Sequence, residues 1–112
     1  MTSRMREPTY FILAALQDEP LHGYAIMTRA AELSQGRVKL ATGTLYSALD
    51  RLTGEGLVAS VREEVVNGRA RRYYALTPGG RAALQVEAAA MAAAARVVTD
   101  RATRTRPAEG IA

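Results

Sequence analysis

The sequence contains no cysteine and no tryptophan, and its 112 residues include one phenylalanine and a single histidine, His22. Without cysteine there is no disulfide, no thiolate metal site and no thiol nucleophile. His22 stands beside Gly23 at a helix start with no compact group of carboxylates around it, which fits a capping or packing residue better than acid/base or metal chemistry. TPGGR at 77–81 matches neither a Walker loop nor a dinucleotide fingerprint. An enzyme is therefore not expected, and neither a cofactor nor a metal is called for. No uninterrupted apolar run approaches the ~20 residues that span a bilayer, and the start MTSRMREP lacks the apolar stretch of a signal peptide. The expectation is a cytoplasmic protein with no membrane partner. Lysine is scarce too: of fifteen basic residues, only Lys39 is lysine.

What is present is positive charge. The formal net charge is +4 and the isoelectric point lies near 10, a balance that favours polyanionic partners. Arginine, alanine and glycine rise together in a GC-rich coding sequence, so the position of the arginines has to decide. A chain of this length is one folding unit that buries roughly 65% of its unfolded surface, a modest core that makes an obligate partner reasonable.

Along the chain, Pro8 can open a helix that Asp18-Glu19-Pro20 stops, apolar nearly all round as a helix covered on more than one side would be. HGYAIMTRAAELS is a second helix with Ile26, Ala30 and Leu33 as its inner stripe, ending before Gly36. GRVKLA alternates Val38 and Leu40, enough for a brief extended piece. Thr42 then serves as N-cap of a third helix, which runs to about Glu55 and is ended by Gly56. LVASVREEVV and RRYYAL flank Asn67-Gly68, a strong hairpin signal, with Tyr74 and Leu76 facing inward. Thr77-Pro78 launches a helix over about 78–101, and TRTRPAEGIA reads as a flexible tail.

Three helices, a hairpin and a last helix describe a mainly α winged helix-turn-helix with an additional long C-terminal helix. Residues 1–76 form the DNA-binding unit, 77–101 a dimerisation helix and 102–112 the tail. In the third helix Leu45, Leu49 and Leu52 recur at i, i+4 and i+7 and face the core. Thr44, Ser47, Ala48 and Arg51 repeat that spacing on a neighbouring face, small and rich in donors. The second helix of such a motif enters the DNA major groove, so this face is the candidate reader of base edges. Asn67, Gly68, Arg69, Arg71 and Arg72 make a basic hairpin tip suited to a minor groove or its phosphates; alternatively Glu63 and Glu64 pair with Arg71 or Arg72 across the strands. Lys39 is a further candidate phosphate contact.

HGYAI at 22–26, GTLYSALDRLTGEGLV at 43–58 and NGRARRYYALTPGGRAAL at 67–84 resemble, in order and spacing, the signature stretches of the PadR family of transcriptional regulators. The resemblance covers roughly residues 5–100. It implies a homodimer on a pseudo-palindromic double-stranded operator, usually as a repressor and often released by a small ligand. It assigns Thr44, Tyr46, Ser47 and Arg51 to the recognition helix and Gly68, Arg69 and Arg72 to the wing. Tyr24 falls at the start of the supporting helix, where a phenol can donate to a phosphate or pack in the core. Asp50 departs from the family pattern, since a carboxylate near phosphates is unfavourable unless an arginine neutralises it.

Leu84, Ala88, Met91, Ala95 and Val98 recur at intervals of four and three, a heptad seam for a second copy, which would set two recognition helices about 34 Å apart; alternatively AAAMAAAA is a strong helix former packed on its own domain. Relatives with a long last helix often bind aromatic effectors at the dimer centre, and here the lining would be Tyr10, Phe11, Leu13, Ala14 and Met91; alternatively these residues are simply core. The alternative from another class is a winged helix used as a protein-interaction or scaffold module, because the fold alone does not dictate DNA binding.

Overall fold

Eight aliphatic side chains, Ile12, Leu13, Leu16, Ile26, Leu45, Leu49, Leu52 and Val58, are below 2% exposed and make the centre of the molecule. Each contributes about 1.5–3 kcal/mol by leaving water. The computed structural model describes residues 5–111, with side chains through residue 102. Residues 1–4 and 112, and the side chains of the expected tail beyond residue 102, lie outside the described residues. The elements are α1 (Glu7–Ala15), β1 (Leu21–His22), α2 (Gly23–Leu33), α3 (Thr42–Gly54), β2 (Val58–Val66), β3 (Arg69–Leu76) and α4 (Pro78–Ile111). This is the expected winged helix-turn-helix with its extra C-terminal helix.

The hairpin turns on Asn67 and Gly68, both at positive φ (54° and 78°). That is the mirror-image turn whose twist matches the strands it joins, which accounts for the Asn-Gly pair. β2 and β3 pair antiparallel from Val58↔Leu76 to Val66↔Arg69, with a bulge between Ser60 and Arg62. β1 adds a short third strand on the other side of β3, in the order β1-β3-β2, through Leu21↔Tyr74 and His22↔Tyr73. Two residues carry no periodicity, so β1 was invisible in the sequence.

Several local expectations are corrected. The N-cap of α3 is Ala41 rather than Thr42, and no side chain caps that end; the Ala41 carbonyl already accepts from Leu45 N–H at 2.9 Å, which takes Thr42 into the helix. Val38 and Leu40 form no strand. The Val38 N–H instead donates to Ser34 Oγ at 2.9 Å, and with no neighbouring strand the segment is an irregular connection. Leu33 leaves the inner stripe of α2, at 37% exposure, because the last turn points past the core edge. α4 continues to Ile111, so the backbone of 102–111 is helical where a tail was expected.

The expected boundary at residues 76 and 77 runs through a packed contact. Thr77 Oγ1 donates to the Gly56 carbonyl at 2.6 Å and accepts from Gly80 N–H at 2.9 Å, capping α4 against the start of β2. Leu84 lies in the core with α1. Over Pro78–Ala102 the helix is long and apolar enough by average to cross a membrane, at a mean hydropathy of 1.2. That average rests on the alanines of 88–95, which Glu87 and Arg96 bracket.

Candidate nucleic-acid interface

Apolar residues on one stripe settle how α3 presents the rest. At about 100° per residue, Gly43 and Ser47 fall opposite the leucines, Tyr46 and Asp50 flank the stripe on one side, and Thr44 and Arg51 flank it on the other. Thr44, Tyr46 and Ser47 are exposed. Ala48 is half-buried and packs on the core. Arg51 turns back: its Nη2 donates to Thr9 Oγ1 at 2.9 Å and its Nη1 lies 3.4 Å from Glu55 Oε1. The face chosen from spacing therefore splits, with Thr44 and Ser47 free at the surface and Ala48 and Arg51 engaged with the protein.

A cleft of about 470 Å³ lies beside this helix, between the start of α2 and the hairpin tip. Its walls are His22, Gly23 and Tyr24, then Tyr46, then the wing from Val66 to Arg72. Three arginines, Arg69, Arg71 and Arg72, line it, as does Asn67. Tyr24 is 74% exposed here, which decides between its two readings: it is a surface phenol and not a core ring. Tyr46 leans over the backbone of α2, where a Cβ on Gly23 would meet its hydroxyl at 2.3 Å. Gly23 thus leaves room for the Tyr46 hydroxyl close to the backbone of α2. Lys39 is exposed on the α2–α3 connection and does not line the cleft.

The three wing arginines are not equivalent. Arg72 reaches Glu63 across the hairpin at 3.4 Å. The Tyr74 oxygen and then the Glu63 carboxylate hold it charged, lifting its pKa. Asp50, with Glu63, Arg72 and Tyr46, borders a second hollow beneath the hairpin. Among the described residues, Arg69 and Arg71 make no ion pair. They leave positive charge available in the cleft, and an anion there would gain from it.

His22 was read as a capping or packing residue, and it is both. Its Nδ1 accepts from Ala25 N–H at 3.5 Å, at the start of α2, and its ring meets Tyr73 edge-on at 5.5 Å between centroids. Burial lowers its pKa, the Arg71 charge lowers it further and the Glu64 carboxylate opposes them. Sequence reasoning did not place His22 in the cleft, although HGY at a helix start held the signal.

The remaining predicted sites separate. Tyr10, Ala14, Leu84 and Ala88 line a hollow of about 90 Å³ between α1 and α4. Leu13 is fully buried, Phe11 is half-buried and meets Tyr10 edge-on at 5.2 Å, and Met91 does not line that hollow. Along the seam, Leu84 is spent on its own core, Ala88 is half-buried, and Met91, Ala95 and Val98 are exposed.

A helix presented over a leucine core, a second helix braced on it and a basic wing define a winged helix-turn-helix protein. Residues 12–86 match the model of the transcriptional regulator PadR-like family, and the chain belongs to that family. It is 45% identical over 87 residues to the transcriptional regulator Rv3488 of Mycobacterium tuberculosis, an alignment covering 78% of each protein. Among solved structures it is similar to Bacillus subtilis PadR in complex with operator DNA, at TM-score 0.65 and 27% identity, covering 75% of this chain and 47% of that one. It is also similar to a PadR family transcription regulator from Clostridium difficile, at TM-score 0.68 and 26% identity, covering 85% and 97%.

Proposed function

We propose that this chain is a cytoplasmic, sequence-specific DNA-binding transcriptional repressor that acts as a homodimer on a pseudo-palindromic operator and is released by a small aromatic effector. It carries out no catalysis. α3 enters the major groove with Ser47 and Thr44 toward base edges, and Tyr24, Arg69 and Arg71 take the phosphates of the adjoining backbone. The observation that carries this reading is the unpaired positive charge of Arg69 and Arg71 in a cleft that adjoins the exposed face of α3. Family membership and the likeness to a regulator solved on its operator support the same partner.

The test is binding to duplexes drawn from the DNA flanking its own gene, followed by fluorescence anisotropy. Affinity is expected to fall by orders of magnitude between ~50 and ~200 mM salt, with one duplex preferred at every salt concentration. Binding that ignores salt, or that ranks all duplexes equally, would overturn the proposal. Loss of the preferred complex on adding a phenolic acid or an aromatic cation would identify the effector class.

A further inference from the structure

Arg51 is the one arginine on α3 and, from its spacing, the obvious candidate to bond a guanine. Its guanidinium is committed elsewhere. Nη2 donates to Thr9 Oγ1 at 2.9 Å, and Thr9, on α1, is only 8% exposed. Nη1 faces Glu55 one turn further along α3 at 3.4 Å, so the pair carries no net charge toward a phosphate. Among the described residues this is the one side-chain hydrogen bond joining α1 to α3. The leucine stripe holds α3 by burial, which is non-directional. The bond to Thr9 is directional, and it acts on the flank of the helix, where it opposes rotation about the helix axis. That rotation decides whether Ser47 or Thr44 points into a groove.

We propose that Arg51 is a positioning residue, a latch from the recognition helix to α1 that sets which residues of α3 read DNA, and that it does not itself contact bases. This rests on the DNA-reading function proposed above. Thr9 makes the two separable, because it lies on α1 under Arg51 and is nearly buried.

A random pool of 30-base-pair duplexes is first selected on the wild-type protein. The selected duplex and a scrambled one then serve as probes in anisotropy at fixed salt. Thr9→Val should lower the ratio of selected to scrambled affinity about five-fold, as the net worth of one such bond allows, while Thr9→Ser, which keeps the hydroxyl, should restore it. Arg51→Ala should lower the ratio similarly, and the double variant should be no worse than Arg51→Ala, since both remove one interaction. Arg51→Lys keeps the charge but cannot bridge Thr9 and Glu55, so the ratio should fall there too, which covers a Thr9→Val chain that fails to fold. An unchanged ratio in Thr9→Val, or an Arg51→Ala effect confined to one base pair and absent from Thr9→Val, overturns the latch. Selection of no sequence by the wild-type protein overturns the DNA reading, and the latch with it.

Discussion

At the residue scale, two glycines show what a single missing Cβ is worth. A Cβ on Gly80 would sit 1.9 Å from the Leu57 carbonyl oxygen and 3.1 Å from a Leu76 methyl. The obstruction is backbone, and that carbonyl also accepts from Thr77 N–H at 3.1 Å. That carbonyl cannot swing away. Gly80→Ala should therefore destabilise the protein by about 2–3 kcal/mol, the upper part of what overpacking costs, measured by urea unfolding at one fixed protein concentration; a change under ~0.5 kcal/mol would show that α4 can slide off β2. Gly23 differs, because its close neighbour is the Tyr46 hydroxyl at the far end of a side chain. An alanine there would turn Tyr46 out and leave the backbone in place.

At the element scale, α3 and the wing were the most legible parts of the chain. Leucines at 45, 49 and 52 specified the buried stripe, and all three are fully buried. Asn67-Gly68 specified the turn, and the turn is there. The angular spread around the exposed side was harder, because spacing alone does not say which flank meets α1 and which meets the hairpin. The wing was legible as a charge cluster, but register decided its use: Glu63 stands opposite Arg72 and Glu64 opposite Arg71, and only Arg72 is bridged to its opposite carboxylate. Arg69→Ala should accordingly weaken binding to every duplex alike and shallow the plot of log affinity against log salt by about one unit. Arg72→Ala should leave that slope nearly as it is. Equal slopes for Arg69→Ala and the wild type in salt titrations would remove Arg69 from the interface.

At the scale of the whole molecule, the chain is far from round. Its radius of gyration is 18.1 Å, in extents of 68 × 30 × 22 Å, where a compact chain of this length would have about 13 Å. The excess is α4, 34 residues long, whose first turns pack on α1 and whose remainder stands out with Met91 37% and Val98 68% exposed. A helix projecting such residues offers a stripe for a partner to bury, and in the homodimer proposed above a second copy would supply the same stripe by two-fold symmetry. Val98→Glu lies outside the monomer core and should leave helix content unchanged. It is expected to shift sedimentation of a micromolar sample from dimer to monomer and to weaken operator binding in step. A dimer of unaltered affinity in Val98→Glu would place the contact elsewhere.

Local chemistry was enough to determine the order of the four helices and the hairpin, the leucine-anchored helix, the mirror-image turn and the cap at Thr77, since each depends on neighbours within a few residues and on the period of burial. Contacts between segments far apart in sequence were decided only by folding. β1 exists because β3 lends it hydrogen bonds; Gly80 is needed because the Leu57 carbonyl arrives from elsewhere; and Arg51 points to Thr9 because α1 passes beside it. A side chain's type is written in its own position, but its partner is set by where the rest of the chain comes to lie.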